Sequence, residues 1–237
     1  MPDPRILVEP CDGGYDRIVL SRPTRRNALV PGMVLALTEA LGAGDGCRPA
    51  VVCSADPAAF CAGADLSQSP AEQAATSELL YSCYERMITR PGPVIAVIEG
   101  PAVGGGAQLA AAADIGVAGP RARLRWAGPP GRGLTVGEWI VPVLAGGPAG
   151  REIVISGRWV DAAEALALGL LTRLEPEPAG VAERMARELA AGDGDALARQ
   201  KLARAELLLD RLDAERAANR AAFAAFLSAA EPDTGDL

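Results

Sequence analysis

The chain has no histidine and few aromatic residues. The 237 residues include 4% Phe, Trp and Tyr together, while 49% are hydrophobic. Without histidine, a Ser-His-Asp triad is excluded and a zinc enzyme is disfavoured, so we expect no metal site. With so few rings, the core has to be built mainly from Ala, Val, Leu and Ile. The abundance of alanine favours helix.

Positive charge, long apolar runs and paired cysteines are also missing. The net charge of −7 argues against nucleic acid or an anionic membrane as a main partner. No stretch approaches the roughly 18 apolar residues of a membrane span, and residues 1–4 lack a basic-then-apolar signal pattern. The five cysteines are odd in number and form no C-x-x-C pair, which is typical of incidental thiols in a reduced protein. We therefore expect a cytoplasmic protein.

What the chain does have is an alternation of short apolar strands and helical segments. This pattern predicts an α/β fold with a mainly parallel sheet. From residue 178 onward the pattern is almost wholly helical, and it closes with a helix over 196–229 and an acidic tail. Without a repeat or linker, we expect one domain with a core at 1–175 and a helical region at 176–237. The main predictions are a hairpin at 6–20, helices at 31–43, 69–89 and 136–145, and strands at 50–53, 94–98, 115–118 and 124–126.

A glycine turn follows the strand at 94–98. Gly104, Gly105 and Gly106 lead into an alanine-rich helix, so backbone N–H groups lie bare at the positive end of the helix dipole. Such a turn can hold an anion or a developing oxyanion, although a tight turn packed under a helix is the alternative. The turn matches neither G-x-G-x-x-G nor a P-loop. We expect Gln108, one turn on, to face the same pocket as a catalytic candidate, where its amide can orient water by hydrogen bonds but cannot transfer a proton.

Several motifs surround this turn in a particular order, and together they resemble the enoyl-CoA hydratase/isomerase family of the crotonase superfamily. The resemblance covers residues 5–175. It implies a crotonase-like spiral of ββα units with a C-terminal helical trimerisation layer, and homotrimers or hexamers. It also implies a coenzyme A thioester as the substrate, with no permanently bound cofactor. The motifs are SRPTRRNAL (21–29), FCAGADL (60–66), PVIAVIEGPAVGGG (93–106), ADI (113–115) and SGRWVDAAEALALGL (156–170).

The resemblance also implies roles for individual residues. In the family, two backbone N–H groups hold the thioester oxygen, and by position these belong to Ala62 and Gly105. Two preorganised donors stabilise a developing oxyanion more than the ground state. For Asp65 a local structural role is the alternative, and for the two arginines a solvated loop is. The residues implied in binding coenzyme A are Arg25, Arg26, Ala28, Ala62, Ala64, Asp65 and Leu66.

The departures from the family concern proton transfer. Family hydratases carry glutamates at the positions of Gln108 and Gly128, and hydration needs both a base and an acid. We therefore expect isomerase, decarboxylase or hydrolase chemistry on acyl-CoA, with Glu138 as the proton carrier near the start of the helix at 136–145. A solvated first-turn glutamate is the alternative for Glu138, and Cys61 is expected to be a buried thiol. Two other functions stay open: ordinary enoyl-CoA hydration by different groups, and a non-catalytic accessory subunit that binds CoA thioesters.

Overall fold

The strands form two sheets. A computed structural model describes residues 5–230 of the chain; residues 1–4 and the predicted acidic tail from 231 onward lie outside this range. The larger sheet has the order β1-β2-β3-β4-β6-β9 and the smaller one β5-β7-β8. The strands are β1 (Ile6–Cys11), β2 (Tyr15–Leu20), β3 (Ala50–Ser54), β4 (Val94–Ile98), β5 (Pro101–Val103), β6 (Ile115–Ala118), β7 (Arg123–Arg125), β8 (Val160–Asp161) and β9 (Arg173–Leu174).

Helices connect the strands and dominate the last third of the chain. Two short 3₁₀ helices, Pro23–Arg25 and Ala43–Gly46, complete the described elements. Within the described residues, no helix is both long enough and apolar enough to cross a membrane. The α-helices are α1 (Pro31–Gly42), α2 (Pro70–Thr89), α3 (Gly105–Ala112), α4 (Val141–Leu144), α5 (Gly147–Ser156), α6 (Ala162–Ala167), α7 (Pro178–Ala190) and α8 (Gly194–Ala230).

The larger sheet is parallel except at its first pair. Strands β1 and β2 form the predicted antiparallel hairpin, and every later neighbour in this sheet pairs in parallel. The carboxyl ends of parallel strands lie at one edge of a sheet, where loops converge. The loop after β3 begins at this edge. It continues beside β5 of the smaller sheet, where a bridge between Cys61 and Ala102 joins it to the strand that leads into the glycine turn. The α/β class and the parallel sheet are confirmed.

The apolar core lies on both faces of this sheet. Strand β4 is a continuous apolar run, as expected of a parallel strand covered on both sides. Val94, Ala96 and Ile98 belong to the main core with helices α1, α2 and α3, whereas Ile95 and Val97 pack in a smaller cluster beneath α7.

Two local predictions need correction. The helix expected at 136–145 is only the single turn α4, because Gly137 has a φ of +89° and Pro142 lies in the first turn of α4. The strand expected at 124–126 lies one residue earlier, as β7. By contrast, the predicted helix start at Ser69 is confirmed, since Ser69 and Glu72 form a reciprocal capping box.

Helix α8 is anchored to the end of α3. The buried Lys201 forms an ion pair with Asp114 and donates to the carbonyl of Met87 at 2.9 Å. Arg204 donates to the carbonyls of residues 111, 112 and 113 at 3.1–3.2 Å. These carbonyls lie at the negative end of the α3 dipole, where a nearby cation is stabilising. Helix α8 then runs along α2, where it completes the wall of a cavity.

Candidate active site

The cavity lies where the loop after β3, the glycine turn, α2 and α8 meet. Its volume is about 270 Å³ and its lining is mostly apolar. Among the described residues, no aspartate or glutamate lines it. The polar and aromatic side chains that line the cavity are Gln73, Ser77, Tyr81, Tyr84, Gln108, Arg125, Asn219 and Phe223.

The backbone N–H of Ala62 is not available to a ligand. It donates to the carbonyl of Arg26 at 3.0 Å, as part of the contact between the 60–66 loop and the turn at 25–29. This occupied donor contradicts the expected role of Ala62. Two residues on, Ala64 pairs with Leu29 in a parallel bridge that uses the N–H of Asp65 and the carbonyl of Gly63. The N–H of Ala64 itself donates to no acceptor within the described part of the chain.

The glycine turn supplies a second free donor. Gly105 is the first residue of α3, and its N–H has no acceptor among residues 5–230. The turn comes close to the 60–66 loop because Gly63 has no side chain. A Cβ on Gly63 would lie 2.7 Å from the carbonyl oxygen of Val103 and 3.3 Å from the nitrogen of Gly105. Ala64 and Gly105 thus border one cavity with two unengaged N–H groups.

Gln108 is where the sequence places it, on α3 facing the cavity. Its side chain is buried, and its Oε1 accepts a hydrogen bond of 2.5 Å from the indole N–H of Trp139. Gly128 also lines the cavity and offers no functional group. A Cβ at Gly128 would lie 3.2 Å from the Cβ of Leu134, so Leu134 closely approaches the space that a side chain there would need.

Glu138 does not line this cavity. It is half-buried beside a separate surface depression that it shares with Arg211 and Glu215. The residues around it are not helical, because α4 begins only at Val141. The structure therefore does not bring Glu138 to the two free N–H groups.

A buried polar cluster that sequence reasoning missed lies against the cavity wall. The hydroxyl of Tyr81 is 2.9 Å from Oε1 of Glu215, and Nδ2 of Asn219 donates to the Tyr81 oxygen at 2.6 Å. Glu215 also accepts from the N–H groups of Gly137 and Trp139, both at 3.0 Å. Tyr81 and Asn219 line the cavity, whereas Glu215 lies behind Tyr81.

The ionisation of Glu215 is shifted by its surroundings. Burial raises its pKa to about 7, although hydrogen bonds from Gly137, Tyr81 and Trp139 act in the opposite direction. The sequence does carry a weak signal for this cluster. Glu215 and Asn219 continue the buried stripe of Leu208 and Leu212 at helical spacing, where a polar side chain needs buried partners.

The contacts of Asp65 hold two loops of the fold together. Burial disfavours its charge, but hydrogen bonds from Ser67 and an ion pair with Arg22 at 2.7 Å outweigh this and lower its pKa to about 2. Arg22, which the sequence did not single out, also donates to the carbonyl of Ala28 at 2.7 Å. Asp65 therefore ties the 60–66 loop to the 22–28 turn.

The other predicted residues are divided between surface and core. Arg25 and Arg26 are exposed, Ala28 is half-buried, and Leu66 is 58% exposed at the mouth of the cavity. Cys61 is buried, and burial raises the pKa of its thiol to about 12, which keeps it protonated and inert.

Comparison with known proteins agrees with this architecture. The family model described as enoyl-CoA hydratase/isomerase matches residues 13–235. The probable enoyl-CoA hydratase echA6 of Mycobacterium bovis is 38% identical over 162 residues, which are 66% of this chain and 65% of that protein. This chain thus aligns with slightly less than two thirds of the length of that curated relative.

Solved structures share the fold over nearly the whole chain. An enoyl-CoA hydratase from Mycobacterium avium subsp. paratuberculosis superposes with a TM-score of 0.85 at 23% identity, covering 98% of this chain and 97% of that one. A monofunctional enoyl-CoA isomerase from M. smegmatis has a TM-score of 0.72 at 28% identity, covering 88% and 94%. The match to the family model, together with the fold and the cavity between two glycine-bearing loops, shows that this chain belongs to the enoyl-CoA hydratase/isomerase family of the crotonase superfamily.

Proposed function

We propose that the chain is an enzyme acting on acyl-coenzyme A thioesters, and that the N–H groups of Ala64 and Gly105 bind the thioester oxygen. The observation that carries the proposal is the pair of free backbone donors at one mostly apolar cavity. Chemistry next to a thioester builds negative charge on its carbonyl oxygen, as an enolate or a tetrahedral intermediate. Two preorganised donors stabilise that charge, and each such donor is typically worth about 3 kcal/mol.

The side chains around the cavity favour some reactions over others. Hydration of an enoyl-CoA needs one group to activate water and another to protonate the α-carbon. No carboxylate among the described residues lines the cavity, and Gln108 is held as an acceptor by Trp139. Double-bond isomerisation, decarboxylation and thioester hydrolysis, which need the oxyanion site and fewer proton carriers, fit this lining better.

Coenzyme A binding and assembly are parts of the same proposal. Arg25 and Arg26 lie exposed on the turn whose Arg26 carbonyl holds Ala62, so they stand close to the loop that carries Ala64. There they can meet the phosphates of coenzyme A. A homotrimer or hexamer, with the helical region at 176–237 as its contact layer, is our expectation for the assembly.

The experiment uses the purified protein and a panel of acyl-CoA thioesters in deuterated water. Three readouts cover the candidate reactions: exchange of the α-proton by NMR, movement of the double bond by absorbance, and release of free coenzyme A thiol. A matched ligand, an S-alkyl coenzyme A, lacks the carbonyl oxygen. We expect at least one readout at an enzymatic rate, together with tighter binding of the thioester than of the thioether.

A second candidate is a non-catalytic protein that binds CoA thioesters. The absence of carboxylates from the described cavity lining favours it. Tight thioester binding without any of the three reactions would select this function. Equal binding of thioester and thioether, with no turnover, would contradict an oxyanion site in either function.

A further inference from the structure

The buried cluster behind the cavity wall joins the cavity to the opposite surface. Tyr81 lines the cavity, whereas Glu215 borders the surface depression that also contains Glu138 and Arg211. Glu215 and the Tyr81 oxygen are 2.9 Å apart. Helices α2 and α8 therefore hold a continuous hydrogen-bonded path from the depression to the cavity.

The donors around the Tyr81 oxygen determine where its own hydrogen can point. Asn219 Nδ2 already donates to this oxygen, while the Asn219 Oδ1 accepts from the N–H of Thr135 at 2.8 Å. When Glu215 is a carboxylate, Tyr81 donates to it. When Glu215 is protonated, its O–H donates to Tyr81, and the Tyr81 hydrogen is released toward the cavity and Gln108.

We propose that Tyr81 is the proton-transfer residue of this cavity, and that Glu215 exchanges the proton with it and positions it. This proposal rests on the proposed thioester function, and names the carrier that the cavity lining otherwise lacks. Tyr81 is the group that touches the substrate, and Glu215 acts through it.

The step is balanced as a relay. An enolate α-carbon forms a C–H bond as the Tyr81 O–H bond breaks. The Tyr81 oxygen takes the proton of the Glu215 carboxyl, which becomes a carboxylate held by the N–H groups of Gly137 and Trp139. In reverse, the α-proton passes to Tyr81 as the Tyr81 hydrogen passes to Glu215. Two such steps at different carbons move a double bond without a net change in protons.

The charged side chains that the structure places near Glu215 do not form a direct ion pair with it. Glu138 and Arg211 border the depression, while Arg216, the next residue on α8, pairs with Glu78 and Glu85. Among the described residues, no cation forms a salt bridge with Glu215. Because burial raises its pKa to about 7, both of its protonation states are available near neutral pH.

The test compares two glutamates beside the same depression. We expect Glu215→Gln and Tyr81→Phe to slow α-proton exchange of an acyl-CoA by about 10²–10⁴-fold while thioester binding is retained. Wild-type exchange should rise through an inflection near pH 7, as the Glu215 carboxylate forms, and Glu215→Gln should lose that inflection. Glu138→Gln, the matched control outside the cavity, should keep both the rate and the inflection.

The outcomes separate this proposal from the one it rests on. Wild-type exchange rates in Tyr81→Phe, or an unchanged inflection in Glu215→Gln, would overturn the relay and leave the oxyanion site standing. If Glu215→Gln does not fold, Tyr81→Phe, which removes only one oxygen, decides the question. If the native protein exchanges no α-proton although it binds the thioester more tightly than the thioether, the relay fails and the binding function remains.

Discussion

The two sides of the cavity are built from different chemical groups. On one side, the Ala64 and Gly105 N–H groups belong to the backbone, and small or absent side chains bring them together. On the other, Tyr81, Glu215 and Asn219 form a side-chain network between α2 and α8. The backbone side depends on the path of the chain, whereas the side-chain side depends on the identity of each residue. The two sides should therefore respond differently to substitution.

The largest effect is expected on the backbone side, from Gly63→Ala. Gly63 has a φ of +82°, and a Cβ there would lie 2.7 Å from the Val103 oxygen, so the two loops would have to separate. We expect a loss of about 4 kcal/mol in the free energy of unfolding, together with loss of thioester binding. Urea unfolding and calorimetric titration measure the two.

The control for this variant is Gly147→Ala. A Cβ at Gly147, in the first turn of α5, would meet nothing within 4 Å, so we expect a change within about 0.5 kcal/mol. Equal stability losses in the two variants would show that the approach of the loops does not depend on Gly63.

The next effect concerns the side-chain side and its dependence on pH. The pKa of Glu215 is raised to about 7 in the folded protein, whereas an unfolded glutamate titrates near ~4.3. Between these values the folded state binds more protons, so its stability falls as pH rises through this window. The fall attributable to Glu215 amounts to about 3 kcal/mol. Urea unfolding of wild type and Glu215→Gln at pH 4.5 and pH 7.5 measures it.

The difference in the free energy of unfolding between wild type and Glu215→Gln should therefore favour the wild type more at pH 4.5 than at pH 7.5. Parallel stability profiles of the two proteins would mean that Glu215 has an ordinary pKa. Glu138→Gln is again the matched control, and its profile should follow that of the wild type.

A smaller effect is expected where the two sides meet, at Gln108 and Trp139. Their hydrogen bond is buried, so removing one partner leaves a polar group unsatisfied. A double-mutant cycle with Gln108→Ala and Trp139→Phe should give a coupling energy of about 1 kcal/mol in unfolding. Strictly additive losses would show that this contact does not stabilise the fold.

The smallest effect is expected at the exposed edge of the backbone side. Replacing Arg25 and Arg26 by alanine should weaken thioester binding by about two- to fivefold at low salt, and less at high salt. Stability should not change, because both side chains are exposed. Arg151→Ala, an exposed arginine on α5, is the control, and a matching loss there would indicate a general charge effect.

The sequence predicted the parts of the site that local chemistry determines. The glycine turn, the position of Gln108 one turn after it and the lack of a side chain at Gly128 all follow from the local sequence. The offset between Ala62 and Ala64 was not predictable, because the N–H of Ala62 is occupied by the carbonyl of Arg26, some 36 residues earlier. Backbone hydrogen bonds of this kind leave no trace in side-chain identity.

Sequence reasoning favoured Glu138 and did not single out Glu215, for a related reason. Proximity in sequence to the Gly/Pro-rich loop favoured Glu138, but Gly137 turns the chain so that Glu138 faces the outside of the wall. Glu215 lies 134 residues from Tyr81, and only the packing of α8 along α2 brings them together. Long-range packing, rather than any motif, creates that half of the site.

The anchoring of α8 links the two sides more tightly than their chemistry suggests. Arg204 holds the last carbonyls of α3, and the first residue of α3 is Gly105, whose N–H has no acceptor among the described residues. The same α8 carries Glu215 eleven residues further on. For protein engineering, this makes α8 a poor module to exchange. Grafting another helix in its place would remove Glu215 of the proposed proton relay, and it would also release the far end of the helix that carries Gly105, a proposed oxyanion donor.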